Sequence, residues 1–579
     1  MRSFWLSVLL LAGRVPDPEP DRSPGDLALS PDGRWALTSN RCSASVSLVD
    51  LAEGKVVAEV GVGRHPYGID WRGGRAIVAN LYDDTVTLLD VVPPSLAVAA
   101  TVPVGNEPRG VVLSPDGERA YVVASGDNAV FIVDVGAKRS RIRVTVGTEP
   151  WFAALTPSGR WLLVGNALSG DLSRIDTRTL ESAAPVPLGG RNLRRIAVDP
   201  KGEAAYIAHI ADRGAPVTRE NIERGRVLDN RISRVEVAGA TPRTALGLDM
   251  RGFGAADPEG VAISPDGTRL AVTLGGTRDI LLLSLPLPAV AEPGEFIPQS
   301  LLEDKSRYRR ASGLRGRPLG CVFLPDGKRI AVANPLLNEV QLVDWDAGEV
   351  VRSIPLGGPK EPSLARKGEK IFYDASRSWH DWFSCATCHA EGHTNGGIYD
   401  TLNDGRYGNP KKTLSLRGVT KTGPWTWHGH ETDLKQALQS SFTRTMSKPK
   451  LDPQELGAVV AFLESNDFLP PPREVPAEAV QRGLALFKDR ACNTCHAEPT
   501  YTVDDVMKVG LESPDDVFKK GFNPPSLRGV TKRGPWLHDG RARTLEEVFE
   551  QHHRPSKLTS RPDFTASELV DLLAFLRSL

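Results

Sequence analysis

A four-residue turn recurs through the first 330 residues and limits what that part of the chain can become. Ser-Pro-Asp-Gly stands at 30–33, 114–117 and 264–267. Variants are Thr156-Pro157-Ser158-Gly159, Asp199-Pro200-Lys201-Gly202 and Leu324-Pro325-Asp326-Gly327. Their prolines lie 84, 42, 43, 65 and 60 residues apart, and the gap of 84 holds a degenerate copy at Trp71-Arg72-Gly73-Gly74. Seven units result. Proline presets the turn and glycine takes its left-handed position, while β-type runs such as 110–113, 120–124 and 130–134 flank it. Four short strands in a unit of about 42 residues describe a propeller blade. The sequence therefore predicts an all-β, seven-bladed propeller over residues 26–357.

Segments 75–80, 119–124 and 329–334 resemble YVTN-type propeller repeats. Two units are longer than the rest, with the excess around 213–256 and 286–316. Such loops either elaborate the surface or build a wall or partner site against the C-terminal third of the chain. No residue of the blades has a catalytic pattern. Cys42 and Cys321 fall in the first and last blades, which meet when the ring closes; two unpaired buried thiols are expected, with a disulfide as the alternative. His65 and His209 are expected to be structural.

Metal chemistry concentrates beyond residue 360, where nine of the eleven histidines lie. Cys385-Ala386-Thr387-Cys388-His389 and Cys492-Asn493-Thr494-Cys495-His496 both read C-x-x-C-H. This is the attachment signature of c-type haem: Cys385, Cys388, Cys492 and Cys495 would form thioethers, and His389 and His496 would be the proximal iron ligands. A histidine directly after each pair argues against two zinc half-sites. Two covalently bound haem c groups are expected.

Linkers rich in proline and glycine at 357–362 and 470–472 set off two helical halves, 364–469 and 476–579. Each opens with a helix running into its haem motif and closes with a capped amphipathic helix, at 456–464 after Asp452-Pro453 and at 569–576 after Thr565. These are the elements of a small class I cytochrome c. The halves repeat each other: Ser415–Lys421 recurs at Ser526–Lys532, and Gly423-Pro424-Trp425 recurs at Gly534-Pro535-Trp536, both offset by 111. At the same offset Trp427 faces His538.

Leu527-Arg528-Gly529-Val530, Gly534-Pro535-Trp536-Leu537-His538-Asp539-Gly540 and Thr544-Leu545-Glu546-Glu547 resemble the bacterial dihaem cytochrome c peroxidases and their methylamine-utilisation maturase relatives. The resemblance covers about residues 364–579 and leaves the propeller outside. It implies that the N-terminal haem meets peroxide, that the C-terminal haem relays electrons, and that Trp427 lies between them as an electron relay. Packing in an interdomain core is the other role open to Trp427. The resemblance also implies calcium between the halves, held partly through a threonine whose place Arg533 takes here.

The face opposite each proximal histidine decides the chemistry. Leu545, Val548, Phe549 and His552 recur at i, i+3, i+4 and i+7, so His552 is the expected distal ligand of the second haem. Its duplicate, Ser441, cannot serve the first. Met446, just before the closing helix, is the candidate there; an open site or His393 are the alternatives. The family places a glutamate shortly before a methionine at this point, whereas this chain has Arg444-Thr445-Met446. His393, His428, His430 and Glu431 are then the candidate acid–base groups.

Residues 1–15, a charged start and a short apolar run, read as a secretion signal, which with covalent haem implies export to the periplasm. No other stretch is apolar and long enough to span a membrane. Balanced charge, 71 basic against 71 acidic side chains, argues against nucleic acid as a partner. The leading expectation is a peroxidase-like oxidoreductase fed by a small redox protein, which reduces hydrogen peroxide or oxidises a substrate docked on the propeller. An electron-transfer cytochrome whose propeller is a docking module for a protein or small molecule, and a haem-based sensor, are the alternatives.

Overall fold

The computed structural model describes residues 18–239, 242–287, 296–472, 475–513, 516–518, 521–532 and 534–579. The secretion signal expected over 1–15 and Arg533 lie outside them. Seven four-stranded antiparallel sheets follow one another, spanning 24–61, 66–103, 108–145, 150–187, 196–247, 258–311 and 321–355. The expected propeller is therefore present, the degenerate copy at 71–74 included.

The turn chemistry explains the repeat. Ser30 Oγ donates to Asp32 Oδ1 at 2.5 Å and accepts from Trp35 N–H at 3.0 Å, while Gly33 sits at φ 67° and its N–H donates to Ser30 O. The Ser114 and Ser264 copies repeat this bonding, with Gly117 and Gly267 at φ 72° and 73°. Serine, aspartate and glycine each fill a bond or a backbone conformation that the tight connection needs.

Among the described residues no strand is exchanged between the first and last blades; side chains close the ring. Ser23 N–H donates to Asn338 Oδ1, Asn338 Nδ2 donates to Asp21, and Arg352 donates to the carbonyls of Leu51, Ala52 and Glu53. Leu27, Val49 and Leu51 share one apolar cluster with Ala331, Val340 and Ile354. Cys42 and Cys321 are both free thiols, and burial pushes each up to about 12. His209 is buried between Ser233 Oγ and the Ile210 carbonyl, a structural role.

In each helical half the opening helix crosses the closing one at a glycine. Helix Leu364–Phe372 meets Pro453–Ser465 at Gly368, where a Cβ would lie 1.9 Å from Ala458 O. Helix Ala477–Asp489 meets Ala566–Arg577 at Gly483, where a Cβ would lie 2.1 Å from Asp571 O. Rings pack beside each crossing, Phe372–Phe462 at 5.0 Å and Phe487–Phe575 at 5.1 Å. Any side chain at either glycine would force the helices apart. Among the described residues no helix is long and apolar enough to cross a membrane.

The first half is seated on the axial face of the propeller. One residue per blade, Ser23, His65, Glu107, Glu149, Asn192, Asp257 and Arg315, has φ between 48° and 56° next to the innermost strand. Such strain is tolerated where surrounding contacts hold it. Three of the seven grip the haem region. Asp257 accepts from Ser384 Oγ and Thr387 Oγ1, both at 2.5 Å, Asn192 Nδ2 donates to Thr387 O at 2.8 Å, and Glu107 is paired with Lys532.

Glu391, two residues past His389, is buried against Arg317 at 2.8 Å and Arg41 at 3.3 Å. These guanidinium groups hold its carboxyl well below the usual range despite burial. Removing one member of such a buried cluster typically costs about 3–5 kcal/mol. Glu391→Gln is therefore expected to lower the thermal midpoint and expose the seam to protease. An unchanged midpoint would mean that the cluster only offsets its own desolvation.

Candidate haem sites

Both C-x-x-C-H segments form a single tight turn. Cys385–Cys388 is one helical turn capped by Ser384, whose side chain accepts from Ala386 N–H while Thr387 Oγ1 accepts from Ser384 N–H. His389 N–H donates to Cys385 O at 2.9 Å, and His496 N–H donates to Cys492 O at 3.0 Å. In the first motif the turn brings both thiols and the imidazole to one cavity. Burial pushes the Cys385 thiol up to about 12 and the Cys492 thiol up to about 11.

His389 Nδ1 donates to Leu414 O at 3.0 Å, and His496 Nδ1 donates to Tyr501 O at 3.1 Å. Burial lowers both rings to about 4, so both are neutral at pH 7. A neutral ring with its Nδ1 proton committed to a carbonyl leaves the Nε2 lone pair for a metal.

A cavity of about 340 Å³ joins Cys385, Cys388, His389, Trp427 and Met446. Its size suits a cofactor, and its walls are mainly apolar. Val217, Val227 and Leu228 of the long fifth-blade insertion form one side, and Trp382 Nε1 donates to Leu228 O at 2.8 Å. This insertion is a wall of the cavity. Phe296, from the sixth-blade insertion, meets Trp382 edge-on at 6.1 Å.

Met446 is 5% exposed and ends a turn of π-helix, Ser441–Thr445, its N–H donating to Ser441 O five residues back. The same device recurs in the second half. Val548–His552 is a turn of π-helix, and His553 N–H donates to Val548 O. Met446 and His553 thus occupy equivalent places, offset by 107 rather than 111.

The expectation for His552 is corrected here: the ring facing His496 belongs to His553, with centroids 6.5 Å apart. A π-turn holds one residue more than an α-turn, so the residue after it rotates onto the face that ideal α-helical spacing assigns to its predecessor. Two metal–nitrogen bonds of about 2 Å, with the depth of two rings, span about 6 Å. The pair therefore fits a metal ion between the rings, and burial, then His496, lowers His553 to about 4.

The acid–base candidates separate. His428 and His430 line the cavity; His393 and Glu431 do not. His393 is held between Ser415 Oγ at 2.8 Å and Lys532 O at 3.3 Å, in a seam beside Arg528 and Glu107, which removes it as a distal ligand or cavity base. Glu431 contributes its backbone, its carbonyl accepting from Trp425 N–H. His430 has both nitrogens bonded, to Thr426 Oγ1 and Asn403 O, and stacks on Phe518 at 4.4 Å. His428 alone of these four keeps a buried nitrogen without a hydrogen-bond partner: Nδ1 donates to Gly521 O, and Nε2 lies 3.5 Å from Asp516.

Trp427 stands where the halves meet. Its Nε1 donates to Lys412 O at 2.7 Å, and its ring meets His538 edge-on at 6.3 Å. Asn523 N–H donates to Trp427 O, and Lys412 N–H donates to His538 O, at 2.8 and 2.7 Å. Since His538 and Asn523 are the offset-111 partners of Trp427 and Lys412, the two bonds exchange equivalent residues. A local two-fold relation passes beside the tryptophan. Among the described residues no group of three or more His, Cys, Asp or Glu side chains is arranged to hold a metal ion, and the calcium expectation, which turned on position 533, lies outside them.

A propeller seating a duplicated, haem-anchoring helical region defines a c-type cytochrome with covalently bound haem. Its haem region is similar to those of methylamine-utilisation proteins and a dihaem-type cytochrome c peroxidase. The Cytochrome c family model matches residues 365–467. The methylamine utilization protein MauG of Methylophilus methylotrophus is 23% identical over 283 residues, covering 39% of this chain and 84% of that protein. Cytochrome c551 peroxidase of Nitrosomonas europaea is 21% identical over 286 residues, covering 40% and 84%. Among solved structures, hydrazine synthase of Kuenenia stuttgartiensis matches with a TM-score of 0.51 at 26% identity, over 57% of this chain and 97% of that one. That share is larger than the haem region can supply, so the match takes in propeller.

Proposed function

We propose that the protein is a periplasmic dihaem oxidoreductase of the peroxidase type, with its reactive centre at His389 and an electron-entry centre at His496. The asymmetry between the sites carries this reading: methionine stands in one distal place and histidine in the other. Haem bound at Cys385–His389 and Cys492–His496 would supply one-electron redox chemistry; the chain supplies ligands, exclusion of water and the path between the sites.

His496 and His553 together close the second site, which suits it to accept electrons from a small redox protein and pass them on. Trp427 relays them across the seam to the first site. There the apolar walls limit entry to a small oxidant such as hydrogen peroxide, and His428 is the group placed to move a proton. The propeller positions the first site through Asp257, Asn192 and the Arg41 and Arg317 that hold Glu391, and walls it with the fifth-blade insertion. Docking of a substrate on its outer face belongs to the same reading.

Met446 favours a second reading, a purely electron-transferring cytochrome, because a thioether in the distal place would keep peroxide from the iron. Half-reduction of the unaltered protein, with Met446→Ala as the opened reference, separates the two. On the first reading, the oxidised His389 site of the variant turns high-spin by EPR and reacts with peroxide at least about tenfold faster, while the unaltered protein opens the same site when half-reduced. A persistently low-spin signal in the half-reduced protein, with no response to peroxide, would establish the carrier.

A further inference from the structure

A second cavity, of about 170 Å³, lies between the first helical half and the first, second, third and seventh blades. It is small and lined by many charged side chains, which suits an ion better than an organic substrate. Six arginines line it, against three glutamates. Arg64 is paired with Asp83, Arg366 with Glu369, and Arg41 and Arg317 share Glu391. Glu19 is the remaining acid, and burial, then Glu369 and Asp21, pushes its carboxyl up towards the neutral form.

Arg109 and Arg417 are left over; among the described residues neither has a carboxylate within ion-pair distance. Arg109 is 1% exposed, and its Nε and Nη1 have no hydrogen-bond partner. It is held between the rings of Tyr67, at 5.0 Å, and Trp151, at 4.2 Å. The three acids that feel its charge are otherwise engaged, Glu149 by Trp151 Nε1, Glu107 by Lys532 and Glu391 by Arg317 and Arg41. Arg41 also lies over Tyr67, at 4.0 Å, with its Nε unpartnered. Aromatic faces attract a cation but accept no hydrogen bond in its plane, so the donors stay unmet. A buried guanidinium without an anion is strongly disfavoured.

We propose that this cavity binds a carboxylate or a similar small oxyanion, gripped by Arg109, Arg41 and Arg417. Two sources share that chemistry. Arg417 lines both this cavity and the one beside His389, so a propionate of a haem attached there can reach it. A free oxyanion such as phosphate is the other source.

The experiment uses the full-length holoprotein, with inorganic phosphate as the probe and potentiometric titration of both haems, on Arg109→Gln, Arg417→Gln and the charge-retaining Arg109→Lys. For a free anion, calorimetry shows one phosphate site, weakened at least about tenfold by Arg109→Gln, with both potentials unmoved. For a propionate, phosphate does not bind. Loss of the positive charge in either glutamine variant then lowers the potential of the His389 haem, Arg109→Lys restores it, and the His496 haem stays put as internal reference. The propionate arm rests on haem attachment at Cys385 and Cys388, which a haem count by alkaline pyridine spectrum checks separately. Phosphate binding equal in all variants, or absent from all with both potentials unmoved, overturns the site. Should Arg109→Gln fail to fold, Arg417→Gln carries the same reading.

Discussion

His553→Ala is expected to abolish the low-spin, six-coordinate signature of the His496 haem, whereas His552→Ala leaves it intact. His553 faces His496 at 6.5 Å between centroids, the separation two imidazoles take across one metal ion. Both rings are half-buried and held neutral, as ligands must be. His553→Met should keep the site six-coordinate but raise its potential by a few tenths of a volt, since axial ligation tunes haem over about 0.8 V. Electron entry from a weak donor would then become easier and onward transfer less favourable. EPR and potentiometry of the three variants check the set. If His552→Ala moved the spectrum and His553→Ala did not, the π-turn assignment would fail.

The one-residue shift between the expected His552 and the observed neighbour of His496, His553, shows what a sequence can carry. Helical spacing assigns His552 to the buried face because Leu545, Val548 and Phe549 set an ideal α-helical register. Nothing local in Val548–His552 announces the wider turn that shifts the register. The repeat held the missing signal. Asp433 and Thr544 cap equivalent helices at an offset of 111, yet Met446 and His553 end them at 107. The first helix is one turn longer. Aligning the halves without a gap set His552 against Ser441 and hid the pairing of the two distal residues.

The propeller was legible because its turns have few chemical solutions, and serine, aspartate and glycine recur wherever the same bonds are needed. The seat of the haem region was harder to see. Ser23, His65, Glu107, Glu149, Asn192, Asp257 and Arg315 share a backbone conformation but no side-chain type, and only the proline after five of them hints at a ring. Side chains that contact another domain vary with what they touch. The haem anchors were legible as covalent chemistry, while the fate of His393 was not: its ring is placed by Lys532, 139 residues away.

Trp427→Phe is expected to slow reduction of the His389 haem by the His496 haem about 100-fold or more, equivalent to roughly 2.7 kcal/mol of added barrier. The indole is fixed by Lys412 O at Nε1 and by Asn523 at its carbonyl, beside the local two-fold relation of the halves. A carbonyl accepts this hydrogen bond without being able to take the proton. The side chain can therefore give up and regain an electron with its N–H in place. Phenylalanine keeps an aromatic ring in the seam but lacks the electron-rich indole, and the lost hydrogen bond costs only about 1 kcal/mol of stability. A purely packing role would show the opposite balance, a lowered thermal midpoint with unchanged interhaem transfer. Stopped-flow absorbance, following the two haems after mixing with a reduced donor, distinguishes the outcomes. Trp536→Phe is the control: its Nε1 bonds Val530 O within the second half, so interhaem transfer should be unaffected.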